Sequence, residues 1–420
     1  MSGTYMYKSF FCILLISFFL ASAGCGANPY KPVAGLPRDL TPSESNLIES
    51  DNVFGLKLFR EIAGSQADGN MFISPLSVSM ALGMTYNGAA GETEAAMRNT
   101  LGLGGMTLAE INESYQSLIE LLSGLDPGVI FQIANSIWHE GTMDFEQEFI
   151  ELNKTYFNAE VAGLDFGDPG SVDIINDWVD TSTNGKIDKI LDSIPIGVVM
   201  YLINAIYFKG TWTSEFDKSD TRDDLFDTGG GSQAPCKMMV RTARYKYMEN
   251  DDLQAVDLPY GEGEYSMTVL LPRPGKDINL LIDELNSANW SIWTGSLAET
   301  KVKLELPKFT LEYEMTLNEV LKALGMEIAF DPVEADFSRM WAGVSPDQNL
   351  YISNVKHKTF VEVNEEGTEA AAVTSVEISL TSISDDIVMR VDRPFVFVIR
   401  ENYSGTILFM GRITQPTLPS

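Results

Sequence analysis

Cysteine is nearly absent: 420 residues hold only Cys12, Cys25 and Cys236. Cys12 belongs to an N-terminal apolar run, and if Cys25 carries lipid only Cys236 remains. One cysteine makes no internal disulfide, so the fold must hold by its core even outside the cell. Histidine is scarcer still, with His139 and His357 alone, and no Cys/His pairing has metal-ligand spacing. There is no Gly-x-Ser-x-Gly elbow, no His-Glu-x-x-His helix and no Gly-x-x-x-x-Gly-Lys-Ser/Thr loop. An enzyme therefore has no motif to support it, and no cofactor or metal is expected. Basic residues are outnumbered, 29 against 59 acidic, for a net charge of −30. That field disfavours nucleic acid and other polyanions as partners. Acidic pairs are too plentiful in such a chain to mark a site.

Long apolar runs and internal linkers are missing too. The run Phe10–Leu20 is short for a membrane span. It follows Lys8, the sole charge in the first 25 residues, and precedes Ala21-Ser22-Ala23-Gly24-Cys25. This is a targeting segment. Its small residues resemble a lipoprotein cleavage site with Cys25 as the lipid attachment. Ser22 stands where leucine is more usual, and ordinary secretion with cleavage nearby is the alternative. The expected organisation is a signal peptide over 1–24, a tether over 25–43 and one domain over 44–420. The expected location is extracytoplasmic, lipid-anchored at the cell surface or secreted.

The rest is a globular chain, 45% hydrophobic. Phe54, Leu58 and Ile62 repeat at helical spacing before Gly64. Ser74-Pro75 is an N-cap with proline at the first helical position, leading to Ala89. Thr107-Leu-Ala-Glu110 and Thr316-Leu-Asn-Glu319 are capping boxes, and Ser171 opens a helix through Trp178. Val129–Trp138 and Val198–Phe208 read as strands covered on both faces. Tyr265–Leu271, Val302–Leu306 and Thr359–Val363 are further strands. Val391–Ile399 and Thr406–Ile413 flank a turn and read as a hairpin. Gly229-Gly230-Gly231-Ser232, with no strand read before it, is a flexible turn. Helices early and strands late give a single α+β domain with large sheets.

The most telling stretch is Glu365-Glu366-Gly367-Thr368-Glu369-Ala370-Ala371-Ala372. It follows a strand and opens a proline-free segment up to Arg393. Even positions from Thr368 to Leu380 are small, then apolar; odd ones are mostly polar. That is the period of a strand with one buried face, and every residue can donate to a ladder. The alternative from this pattern alone is a static hairpin arm.

The same octad resembles the hinge of a serpin reactive-centre loop. Val391-Asp392-Arg393-Pro394-Phe395-Val396-Phe397-Val398-Ile399 resembles the signature after that loop, and Leu408-Phe409-Met410-Gly411-Arg412 the closing strand. Asn70–Ser77, Asn135–Trp138, Ile175–Val179, Thr183–Ile187, Asn204–Trp212, Leu306–Phe309 and Ala335–Ser338 agree, in the family's order. The resemblance spans roughly residues 45–416. It implies three sheets, eight or nine helices and an exposed loop at about 365–390. It further implies a monomeric suicide inhibitor of serine proteases, or of papain-like cysteine proteases, with no enzyme activity. The protease cuts the loop, which then inserts into the largest sheet with the acylated protease attached.

The resemblance also assigns residues. The hinge is Glu365, Gly367, Thr368, Ala370, Ala371 and Ala372. The reactive bond is Thr381-Ser382, with Leu380 and Ile383 as alternatives because the loop is longer than the common pattern. Ser74, Ser77, Asn204 and His357 form the gate under the main sheet, and Lys308 and Trp212 stand where the loop enters it. Chemistry alone reads His357 equally as a satisfied core histidine and Trp212 as a core aromatic. The Lys308–Glu365 pair is expected to be partly exposed and to contribute about 0–1 kcal/mol. No Lys or Arg lies between Gly367 and Met389, so the loop suits elastase-, subtilisin- or chymotrypsin-like proteases. A serpin-fold binding protein without inhibition is the second reading.

Overall fold

A computed structural model describes residues 35–66, 68–341, 343, 349–368 and 387–417. The chain opens with α1 (Pro42–Ser65), β1 (Met71–Ile73), α2 (Pro75–Tyr86), α3 (Gly91–Thr100) and α4 (Leu108–Leu122). Strands and helices then alternate: β2 (Val129–Glu140), α5 (Gln147–Phe157), β3 (Glu160–Leu164), α6 (Gly170–Ser182) and β4 (Met200–Thr211). A strand-rich stretch follows: β5 (Arg222–Gly229), β6 (Ser232–Glu249), β7 (Leu253–Tyr260) and β8 (Tyr265–Pro272). After α7 (Ile278–Glu284) and α8 (Ser287–Gly295) come β9 (Ala298–Pro307), β10 (Phe309–Thr316) and the single turn α9 (Asn318–Leu321). The last elements are β11 (Lys356–Val363), β12 (Gly367–Thr368), β13 (Ile387–Arg390), β14 (Phe395–Glu401) and β15 (Ile407–Ile413).

The strands form two ladders. One runs β1-β15-β14-β8-β7-β6-β9-β13, with β5 added on β6; the other runs β10-β11-β12-β4-β2-β3. The long β6 explains why two of the three expected sheets are continuous. Its first half pairs with β5, its second half with β7 and β9. α2 is buried almost throughout and packs on both β4 and β15, so it lies between the ladders. Stacked Phe72, Phe397 and Phe409 fill the core beside it. On the outer face of the second sheet, α6 buries Ile175 and Val179 against Trp138 and Ile203. No described helix is long and apolar enough to cross a membrane.

Local signals set most helix starts. Thr107 and Glu110 close their capping box, and Ser74 accepts from the Ser77 amide. An unexpected box, Thr41 with Glu44, starts α1 at Pro42, and Arg38 pairs with Glu44 at 2.5 Å. Several details differ from the expectations. α1 runs past Gly64 to Ser65. Thr316 caps nothing: it ends β10 opposite Lys356, and the pairing outweighs the helical signal. Ser171 lies inside α6 and donates to the Asp165 carbonyl at 2.6 Å instead of capping. The triglycine does have a strand before it. It turns β5 into β6, with all three glycines at positive φ. Val391 to Pro394 precede β14 rather than belong to it.

Candidate functional site

β11 ends in a tight reversal. The Asn364 side chain accepts from the Glu366 amide at 2.9 Å, and the Asn364 amide donates to the Gly367 carbonyl at 3.0 Å. The reversal turns the chain into β12, which pairs with β11 through Val363 and Thr368 and with β4 through Gly210 and Thr211. Gly367 has φ +149°, and a Cβ there would stand 2.1 Å from the Gly210 carbonyl oxygen. Only glycine permits this close approach. The first residues past the turn thus sit as a strand between β11 and β4.

Side chains lock that position. The Trp212 indole donates to the Asn364 carbonyl at 2.9 Å, and its backbone amide to Glu366 at 2.8 Å. Its ring stacks on Tyr260 at 4.4 Å, and the Tyr260 hydroxyl shares a 2.7 Å hydrogen bond with Thr368. Glu365 pairs with Lys308 at 2.8 Å and accepts from the Thr221 hydroxyl at 2.8 Å. Glu365 is buried while Lys308 keeps about a quarter of its side chain exposed, so the pair is partly exposed as expected, on the lysine side alone. Burial raises the Glu365 carboxyl's pKa, but Lys308 and Thr221 outweigh it and the net shift is downward. Lys218 adds a contact to Glu366.

Below Thr368, β11 and β4 border a cavity of about 170 Å³. Asn204, His357 and Ser77 line it, with Ala81 and Leu82 of α2 on one face and Ile187 and Leu191 on the other. The four expected gate residues converge here. The Ser74 amide donates to His357 Nε2 at 3.0 Å and the Ser74 hydroxyl to the Leu408 carbonyl at 2.7 Å. Ser77 donates to the Asn204 carbonyl at 3.3 Å. Accepting at Nε2 makes His357 a neutral imidazole protonated at Nδ1, and burial pushes its pKa down to about 4. The Asn204 side chain turns away to Asn135, donating at 2.7 Å, and its Oδ1 is buried without a partner among the described residues.

Thus Ser74, Ser77, Asn204 and His357 form one cluster, and Glu365, Gly367, Thr368, Lys308 and Trp212 another above it. Cys25, Ala370, Ala371, Ala372, Leu380, Thr381, Ser382 and Ile383 lie outside the described residues. Asn364, Tyr260, Thr221 and Lys218 were not foreseen. Asn364-x-x-Gly367 was a readable turn signal; the other three contacts span more than 100 residues of sequence.

A family profile described as Serpin (serine protease inhibitor) matches residues 49–416. The chain belongs to the serpin family. Among curated relatives, human Serpin B8 is 37% identical over 379 residues, 88% of this chain and 100% of its own. Human leukocyte elastase inhibitor is 34% identical over 382 residues, covering 88% and 99%. The solved structure of the thermophilic serpin tengpin in its native state is 34% identical, with TM-score 0.81 over 90% of this chain and 95% of that one. The α+β serpin fold is therefore established, and relatives of this serpin are named as protease inhibitors.

Proposed function

We propose that this serpin is an irreversible suicide inhibitor of serine proteases with elastase-, subtilisin- or chymotrypsin-like preference. One observation carries the reading: β12 lies in register between β11 and β4, and a cavity bounded by the same two strands continues below it. Serpins are the standing example of loop insertion as a switch. In this chain the protease serine attacks the carbonyl of the residue before the cut, Thr381 by the family's spacing. The Ser382 amine is expelled with a proton as the new end of the C-terminal segment, which stays in the fold through β13, β14 and β15. Residues beyond Thr368 then extend β12 downward and drag the ester-linked protease with them before water releases it.

Register supports the fit. Six residues beyond the Thr368 pairs, Thr374 would come opposite His357 on β11 and Asn204 on β4. Even-numbered residues would follow Thr368 toward α2 and the core. The test mixes the protein with a porcine pancreatic elastase or subtilisin. The expected result is an SDS-stable complex, a cut between Leu380 and Ile383 by mass spectrometry, and a much higher melting temperature for the cleaved protein. Cleavage with neither complex nor stabilisation would favour the non-inhibitory binding reading.

We further infer that the domain works outside the cytoplasm, held by lipid on Cys25 or secreted. The leader composition supports this. Membrane fractionation of the parent and of Cys25→Ala distinguishes the two; a cytosolic, unprocessed chain would overturn both.

A further inference from the structure

A second cleft, of about 320 Å³, opens between α1 and α8. Ile48, Leu56 and Trp290 give it an apolar floor; Glu49 and Tyr403 stand on its rim, and Leu40 closes one end. Tyr403 is 57% exposed, yet its backbone is fixed, because its amide donates to Glu401 at 2.6 Å. Glu49 is exposed and has no ion pair among the described residues.

The N-terminal chain already runs along this cleft. Leu40 lines it, and five residues earlier Gly35 meets the rim: a methyl group on Gly35 would stand 2.9 Å from the Tyr403 hydroxyl. The chain immediately before that point reads Pro29-Tyr30-Lys31-Pro32-Val33-Ala34. It brings an aromatic ring, two prolines and one cation to a cleft whose floor is apolar and whose walls are polar, with Ser45, Asn52, Ser287 and Ser404 beside the unpaired carboxylate of Glu49. Five residues reach about 17 Å at most, so Tyr30 stays within range of the cleft. The prolines lower the ordering cost of an extended segment.

We propose that Tyr30–Val33 docks in this cleft, with Lys31 on Glu49 and the apolar side chains over Ile48, Leu56 and Trp290. The stretch expected to be a free tether is then bound to the domain back to about Pro29. The domain sits close to whatever holds Cys25 and keeps one orientation there. This inference is independent of protease inhibition.

Hydrogen exchange on the full chain tests it. The amides of Tyr30, Lys31, Val33 and Ala34 should exchange at least tenfold more slowly than in a synthetic peptide of residues 26–35. Glu49→Gln and Tyr403→Ala should each speed them at least threefold while unfolding stays cooperative. Peptide-like rates in the parent, or protection that neither variant alters, would overturn the proposal. So would protection that grows with protein concentration, which marks a second copy as the occupant. Fast tail exchange with anilinonaphthalene sulfonate bound in the cleft would also overturn it, marking a small-molecule site.

Discussion

Asp51 is a buried carboxyl with no ion pair among the described residues. It sits on α1 and accepts from the Tyr115 hydroxyl of α4 at 3.1 Å, while its Oδ2 is buried and unpaired. Burial pushes its pKa up to about 7, against weaker opposing bonds from Ser79 and Tyr115. The folded state therefore keeps a proton that the unfolded chain releases near the ordinary aspartate value of 3.8. The stabilising protonated form is fully favoured below that value, and its advantage is lost as pH rises to about 7. At 1.36 kcal/mol per unit the loss is on the order of 4 kcal/mol. His357 acts oppositely: its lowered pKa costs stability as pH falls from 6.5 to about 4. The parent curve is thus a composite, and the variant comparison separates it. Urea unfolding should show Asp51→Asn gaining on the parent steadily between pH 4 and pH 7, then holding level. A constant difference across that range would refute the assignment. Lys308 gives a second test at this scale. Lys308→Met leaves Glu365 buried with one hydroxyl, and should cost about 2 kcal/mol at neutral pH. A loss under 0.5 kcal/mol would return the pair to the surface class.

Elements show which parts of the site could be read from sequence. Glu365, Gly367 and Thr368 were singled out because their signal is local, small residues after a strand with a period of two; the Asn364 turn that holds Gly367 was there to read and was missed. Helix starts at Ser74 and Thr107 were legible for the same reason. Thr316 misled because a capping box and a strand end look alike until the partner strand is known. The Tyr260–Thr368 bond joins positions 108 apart, and only the folded sheet brings them together. Asn204 Oδ1 is the clearest case. Its lack of a partner among the described residues is invisible in sequence, and Asn204 stands six residues along β4 from Gly210, the position that a continued β12 would bring opposite Thr374. Thr374→Val should keep the volume and remove the hydroxyl donor. The cleaved variant should melt several degrees below the cleaved parent, with the uncleaved forms alike within about 1 °C. Thr368→Arg tests the same seam harder. Thr368 is 2% exposed and tied to Tyr260, so a guanidinium there cannot remain in the sheet. That variant should be cut at the same bond but released as a substrate; stoichiometric SDS-stable complexes would contradict insertion through this seam.

At the scale of the whole molecule the charge of −30 acts before any contact forms. Inside the fold, pairs such as Arg400–Asp257 at 3.2 Å balance their charge locally. The effect of the net charge falls on association. The loop adds Asp385 and Asp386 close to the expected cut and offers no basic residue between Gly367 and Met389. A protease with a positive surface around its active site is drawn in, and one with a negative surface is held off. At 0.01 M salt the field reaches about 30 Å, and at 0.15 M about 8 Å. Two elastase-like proteases of similar cleavage preference and opposite net charge should therefore differ most at low salt. The second-order inhibition constant for the basic enzyme should fall by tenfold or more between those salt concentrations, while that for the acidic enzyme rises. The stoichiometry of inhibition should not change, because partitioning between trapping and release follows insertion, after the partners have met. Parallel salt curves for the two enzymes would mean that the acidic surface faces away from the docking side and serves another purpose.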